Sequence, residues 1–314
     1  MNWLVWRQHR KQFIFGGLTL LVFAIVIIIT GNQMANTYHQ ALAVCSSTNT
    51  CADLSQELFQ GDGMTYDSII GVAIAAPLLL GLFWGAPLIA QEYEKGTNKL
   101  VWTQGVTRRK WLTVKLIWIL FAAALYGAVI TALVSWWSKT PNVLYGNRFD
   151  QAPFNTQGLM PIVYAIFATA LGTAVGTFCK RVLLGLAVTL GIFVLVQGLV
   201  VNYARPNYET PITEVSSLVG GTAPASGSIW LLHQDVIDPS GKVATLLIYP
   251  SECKTQSTNQ GSLQCLVNHG YHARFIYQPA NRYWTFQVVE SGAYLAASAF
   301  LVAVTYTLVL KRDA

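Results

Sequence analysis

Glu92, Glu94, Lys95, Lys99, Arg108, Arg109 and Lys110 crowd into one short stretch of a chain that is otherwise poor in charge. The chemistry such a set offers is ion pairing and docking rather than bond making, because no nucleophile and base accompany it. Between the charges, Gly96 stops the preceding segment and Thr97 can cap a new helix. Leu100, Val101 and Gln104 then fall on neighbouring faces before Gly105 ends the turn. Thr107 can cap the long segment that follows. A linker that only joined two helices needs about two to eight residues and no second cap. This stretch reads as a short amphipathic element on a membrane surface, built to touch something.

Other chemistries are poorly supported. The GKV at Gly241 lacks both the upstream glycine and the hydroxyl residue of a phosphate-binding loop, and no HExxH, GxSxG or CxxC occurs. The chain is therefore expected to be no enzyme. His233, His269 and His272 share one segment, but a metal site needs at least one further ligand; solvated loop histidines and no metal are the expectation. Cys45 with Cys51, and Cys253 with Cys265, lie close in sequence and suggest two local disulfides, although four cysteines allow three connectivities. Cys179 reads as a packing thiol. Glu290, about one turn inside an apolar run, either attracts a cationic substrate, gates an exit, or points outward from the interface. Lys115 can snorkel to the cytoplasmic surface. With no acidic relay in the apolar runs, the driving energy is expected from a partner.

The elements that must position these groups are membrane helices. Of 314 residues, 53% are hydrophobic and only 11% charged, with mean hydropathy +0.43, against about a quarter charged in soluble domains. Six apolar runs, about 13–30, 68–90, 112–137, 159–179, 182–202 and 287–310, reach the roughly 20 residues that cross a bilayer. The fold class is an all-α polytopic membrane protein. Thirteen of the 20 Lys and Arg residues fall on one side, twelve outside these runs and Lys115 at the start of the third, which makes that side, with both termini, cytoplasmic. Net charge +6 then reflects topology and attraction to anionic lipid. No basic stripe interleaved with aromatics suits nucleic acid.

Three regions follow: 1–202 with five spans and the cytoplasmic segment 91–111, an external subdomain 203–286 rich in proline, and 287–314 with the sixth span. Residues 1–12 group Trp3, Leu4 and Trp6 against Arg7, Arg10 and Lys11, as in a helix lying in the headgroups before span 1. The segment from Gly31 to Asp67, free of Lys and Arg, reads as an external loop. Pro77 and Pro87 with Gly71, Gly81 and Gly85 should kink span 2, leaving backbone groups that a neighbouring helix must satisfy. Gly172 and Gly176 have the GxxxG spacing that permits close packing on an unspecified partner. In the subdomain, VATLLIYP reads as a short strand and SIWLL as a buried or membrane-dipping turn.

Between Gly85 and Lys115 the run APLIAQEYEKGTNKLVWTQGVTRRKWLTVK resembles the permease subunits of type-2 ATP-binding-cassette exporters. The likeness lies in small and Pro residues ending helix 2, Glu92 and Glu94, Gly96-Thr97, a short apolar helix, and a hydroxyl-basic start to helix 3 at Thr107-Arg108. Six spans, an interfacial N-terminal helix and a large external segment between helices 5 and 6 are similar too. Many relatives have proline where this chain has Gly105. The resemblance implies that Thr97 to Gln104 forms a coupling helix pressed onto a separate cytoplasmic ATPase. Glu92, Glu94, Arg108 and Arg109 would pair among themselves or with that ATPase. It further implies two ATPases holding ATP and Mg, a second permease subunit in a homo- or heterodimer, and a path lined by helices 2 and 5. Phe83, Trp84, Phe193 and Gln197 are the path candidates. The expected activity is efflux of a hydrophobic or amphipathic compound, a drug, antibiotic, peptide or lipid, across a bacterial plasma membrane. The rival reading is a sensor or scaffold whose external part binds a ligand and whose cytoplasmic loop docks a non-ATPase partner.

Overall fold

The structure, a computed structural model, describes residues 2–48, 51–96, 107–140, 148–219, 229–244, 249–254 and 259–311. Among the described residues, six helices are long and apolar enough to cross a membrane: span 1 Gln12–Gln40, span 2 Gly63–Glu94, span 3 Arg108–Trp137, span 4 Met160–Cys179, span 5 Val182–Asn207 and span 6 Ala280–Lys311. Helix is the solution because hydrocarbon offers no partner for backbone N–H and C=O groups, so each segment must satisfy its own. The protein is all-α and polytopic, with one small sheet. The chain divides into two units, one of Met1–Tyr145, Gln151–Val200 and Gln287–Ala314, the other of Gly146–Asp150 and Val201–Phe286.

Two expectations change at the N-terminal end. Residues 2–12 are helical but do not form a separate interfacial helix, because a single helix runs from Asn2 to Thr48. Nothing between Lys11 and Phe13 breaks it: Gln12 propagates a helix well, and the first glycines come later, at Gly16 and Gly17. The supposed loop from Gly31 to Asp67 is largely helix as well, since the next helix begins at Cys51. Its residues Asn32 to Val44 are rich in Ala, Gln, Met and Leu, which favour helix once the first turns exist.

Span 2 is interrupted as its prolines and glycines require. An α-helix ends at Leu80, a π-turn covers Gly81–Gly85, and α-helix resumes over Pro87–Glu94. The turn is closed by Ala86 N–H donating to Gly81 O at 2.9 Å. Pro87 has no N–H to offer the carbonyl four residues back, and that carbonyl, Phe83 O, instead accepts from Gln12 Nε2 of span 1 at 3.2 Å. Span 4 packs against the interruption backbone to backbone. A methyl group at Gly81 would stand 2.5 Å from Ala168 O, and one at Gly85 2.6 Å from Thr169 O. From the other side, side chains at Gly172 and Gly176 would collide with Gly81 O and Ala86 O. The partner of the GxxxG pair is therefore the break in span 2. Thr173 and Thr177 of span 4 are buried but return their hydroxyls to carbonyls one turn back, at 2.7 Å each.

Apolar packing flanks this contact at both ends. Trp84, Leu88, Ile89, Trp111, Leu112 and Leu116 form one buried cluster. Ile27, Ile69, Ala73, Ile130, Val134 and Trp137 form the other.

The second unit carries a three-stranded antiparallel sheet of order β1-β3-β2, with β1 Ile212–Ser217, β2 Trp230–Ile237 and β3 His272–Gln278. SIWLL is thus no turn, since Trp230 to Leu232 open β2. Its alternation is hidden by a bulge between Leu231 and His233. The clearer period-two signal was Ala273 and Phe275, both buried in β3. Asp235 and Arg274 face each other across β2 and β3, 2.7 Å apart. Of VATLLIYP, Val243 bridges to Ile237, and residues 245–248 lie outside the described residues. A tight turn follows β2, where Asp238 accepts from Ser240 N, Ser240 Oγ and Lys242 N at 2.6 to 3.0 Å. These donors, the Ser240 hydroxyl first, hold its carboxyl below the usual carboxylate range. Two short helices, α1 Ser251–Lys254 and α2 Asn259–Asn268, bring Cys253 and Cys265 into a disulfide with Cα atoms 5.4 Å apart.

Gly172→Val or Gly176→Val should lower the melting temperature of the detergent-solubilised chain by several degrees, as overpacking of about 1–3 kcal/mol does. Gly191→Val and Gly198→Val, where nothing lies within 4 Å, should melt close to the wild type. Non-reducing peptide mapping should recover Cys253 linked to Cys265.

Candidate functional site

Where span 2 ends, span 3 begins and span 4 turns into span 5, Glu92 and Glu94 make contacts with other elements. Gly96 has φ +68°, the left-handed conformation that stops a helix without a Cβ clash. Thr107 caps span 3, its hydroxyl accepting from Lys110 N at 3.4 Å. The two ends of the amphipathic segment are thus fixed as its residues require. Thr97, Leu100, Val101 and Gln104 lie outside the described residues.

Lys115 does not snorkel. It is buried, its ammonium pairs with the Glu92 carboxylate, and it lies over the Trp111 ring at 4.6 Å from the centroid. An ammonium at that depth, cut off from water, needs an opposite charge beside it, and Glu92 supplies one. Glu94 serves a different element. Its Oε2 accepts from Val182 N at 3.2 Å, one of the N–H groups that a helix start leaves without an intrahelical partner. Lys180, in the left-handed conformation at the end of span 4, stands over the Tyr93 ring at 4.9 Å. The last helical turn of span 2 therefore holds span 3 through Glu92 and the span 4 to span 5 turn through Tyr93 and Glu94.

Glu92, Glu94, Arg108 and Arg109 were expected to pair among themselves or with an ATPase; the contacts found for the two carboxylates are with Lys115 and with Val182 N. Arg108 is half-buried, and Arg109 is exposed with no ion pair among the described residues. The signal for the true partner was Lys115 itself, an ionisable residue inside an apolar run. Such residues are costly there and tend to be matched.

The path candidates separate into two places. Phe83 is exposed, while Trp84 is buried and meets Phe13 and Tyr126 edge-on, with centroids 5.4 and 5.8 Å apart. Phe193 is buried beside Phe167, and Gln197 Oε1 accepts from the Tyr294 hydroxyl at 2.5 Å. Tyr294 in turn packs on Tyr164 and Phe167 at 5.0 and 4.9 Å. Glu290 joins this second group. Contrary to the outward-pointing alternative, it is fully buried, and its Oε1 lies 2.5 Å from the Tyr164 hydroxyl. The hydroxyl provides the polar contact that burial demands. Sequence reasoning missed Tyr164, Tyr294 and Gln287; the last accepts from Leu159 N at 2.9 Å and donates to Phe154 O at 3.1 Å. The signal was a polar group in each of two apolar runs that otherwise needed none.

In the second unit, the Cys253 and Cys265 sulfurs each lie 3.8 Å from His269 Nδ1, and the two sulfurs are bonded to each other. Cys265 and His269 share a helical face at the i, i+4 spacing. The side chains of Cys45 and Cys51 are outside the described residues.

The chain matches the family model described as ABC-2 membrane transporter related over residues 17–205. No curated protein and no solved structure matches. The matched residues run from span 1 through most of span 5 and include the whole junction. The chain belongs to this family, and it is a multi-pass membrane permease of an ABC-type transporter.

Removing one member of the buried pair leaves the other charge uncompensated, whereas replacing both does not. Lys115→Met should destabilise the chain by about 3–5 kcal/mol, and Glu92→Gln with Lys115→Met should recover most of that loss. Thermal unfolding of the two single variants and the double, read as a double-mutant cycle, measures the coupling.

Proposed function

We propose that this permease drives export by coupling segment 91–111 to a separate cytoplasmic ABC ATPase. The complete machine has two ATPases, each holding ATP and Mg, and two permeases as a homo- or heterodimer. Family membership supports an ATPase and a permease partner. The observation that carries the coupling role is the junction itself: residues 97–106 follow Gly96 and precede Thr107, and the last turn of span 2 just before Gly96 is tied to spans 3, 4 and 5 through Glu92, Tyr93 and Glu94. A push on the segment is then passed to four helices at once. The exposed Arg109, Lys110 and Lys95 are free to meet acidic groups on the ATPase.

The cargo is a hydrophobic or amphipathic compound, in keeping with spans that carry few charges. Its path follows helices 2 and 5 at the permease dimer interface, with Phe83 as the exposed candidate. Phe193, Gln197 and Glu290 form a second, separate group on spans 5 and 6. Both termini are cytoplasmic in the cell membrane, and the unit with the sheet lies outside. There Cys45 with Cys51 joins Cys253 with Cys265 in oxidised form.

The purified chain should hydrolyse no ATP alone and should co-purify with an ABC ATPase from its native membrane. In vesicles reconstituted with that ATPase, Arg109→Glu should lower transport on the order of tenfold, equivalent to about 1.4 kcal/mol of docking free energy, with unchanged melting. Wild-type transport by Arg109→Glu would remove this residue from the coupling surface. Topology is read separately. An impermeant thiol reagent on intact cells should label Asp238→Cys and leave Lys110→Cys unmodified.

A further inference from the structure

In the second unit, the two sulfurs that join α1 to α2 stand in different surroundings. Cys253 is buried in a small cluster with Ala244, Leu266 and Tyr271. Cys265, on α2, is half-buried, so a molecule arriving from solvent meets its sulfur first. A disulfide opens when a thiolate attacks one sulfur and the other leaves. The rate depends on which sulfur is reached and on how well the other carries the charge. Here the reachable sulfur belongs to Cys265, and the one that must leave belongs to Cys253.

A thiolate left in apolar surroundings is costly unless a hydrogen-bond donor or a positive charge stands beside it. His269 stands there. α2 stops at Gly270, whose φ is +77°, and His269 follows Cys265 by one helical turn. Its Nδ1 lies 3.8 Å from each of the two sulfurs. Nδ1 is also 2.9 Å from Cys265 O; a carbonyl only accepts, so Nδ1 carries the hydrogen in that contact. Across the ring, Nε2 faces Glu252 Oε2 at 4.0 Å. Both side chains of that pair are open to solvent, so it orients the ring more than it stabilises the fold. A disulfide that only staples two helices needs neither a reachable sulfur nor an imidazole donor placed equally on both.

We propose that the Cys253–Cys265 disulfide is an exchange site for small thiols, in which Cys265 takes the thiol and His269 supports Cys253 as it leaves. The incoming thiolate forms a bond to Cys265 Sγ, the bond between Cys265 and Cys253 breaks, and its electron pair goes to Cys253 Sγ. The Nδ1 hydrogen of His269 turns from Cys265 O to that sulfur. With Nε2 protonated as well, facing Glu252, the ring passes its Nδ1 proton to Cys253 and is left neutral. The products are a mixed disulfide on Cys265 and a thiol at Cys253. A second small thiolate, attacking the small-thiol sulfur of the adduct, releases Cys265 as a thiolate. Two small thiols are then oxidised to their disulfide and the cysteine pair is reduced. The site stands whether or not the coupling proposal holds.

The test takes the full chain in detergent, adds glutathione as the small thiol, traps thiols with iodoacetamide at successive times and maps the peptides by mass. At early times glutathione should be found on Cys265, with Cys253 carrying the alkyl group. Opening should proceed well below the melting temperature of the chain. His269→Gln should slow it by roughly tenfold while melting as the wild type does. Glutathione on Cys253 with Cys265 alkylated would overturn the proposal. So would wild-type rates of opening in a His269→Gln variant that melts normally, or a wild-type disulfide that opens only once the chain unfolds. If His269→Gln does not fold, the position of the glutathione and the temperature at which the wild-type disulfide opens decide the matter.

Discussion

The contact on which the arrangement depends is made by backbone atoms. Gly81, Gly85 and Ala86 of span 2 lie directly on Ala168, Thr169, Gly172 and Gly176 of span 4. In a bilayer, apolar side chains gain little by leaving lipid for protein, so helices associate through close van der Waals contact and local hydrogen bonds. Residues without side chains allow the closest approach. The same glycines and Pro87 break the regular helix at this level. One sequence feature thus produces both the interruption and the surface that fits it. The carbonyl left over by Pro87 is then satisfied by Gln12, which fastens span 1 to the same place.

Below the break, span 2 resumes as a short helix whose last turn carries Glu92, Tyr93 and Glu94. Three successive residues face three different elements, because each step rotates about 100° around the axis. Glu92 reaches span 3, Tyr93 the end of span 4, and Glu94 the start of span 5. None of these contacts is strong by itself. Glu94 is exposed and Lys180 half-buried, so solvent screens both, and a buried pair such as Glu92 and Lys115 loses much of its attraction to desolvation. Their combined effect is geometric, because a slip of one residue in span 2 would redirect all three.

Much of this was legible in the residues. Apolar runs gave the six spans, Gly96 and Thr107 gave the ends of the segment between spans 2 and 3, and the GxxxG pair announced a close helix contact. Partners were not legible. Glu92 and Lys115 are 23 residues apart, and five basic residues, Lys95, Lys99, Arg108, Arg109 and Lys110, lay nearer to hand in sequence; burial sets Lys115 apart from Lys95, Arg108, Arg109 and Lys110. Helix ends were misplaced where membrane depth had been used to set them. Hydropathy reports where a helix leaves hydrocarbon, not where its hydrogen bonds stop, so Asn2–Thr48 overran the span at both ends. The sheet was not legible for another reason: a bulge between Leu231 and His233 interrupts the alternation of β2.

The division of labour between the two buried polar groups follows from what each can exchange with water. Glu92 and Lys115 sit at the end of span 2 beside a segment open to the cytoplasmic side in the proposed topology, and a partner there can alter the field they experience. Glu290, Tyr164, Gln197 and Tyr294 connect spans 4, 5 and 6 deeper in the protein. Hydroxyls and amides are the main contacts in that network, so its geometry is held by direction rather than by charge. Rigid spans joined by directional bonds can move as a body when the junction is pushed, while the glycine contact between spans 2 and 4 offers no side chains to interlock. Under the proposed function, the surface that permits the closest approach is therefore also the one across which span 2 can shift with least obstruction.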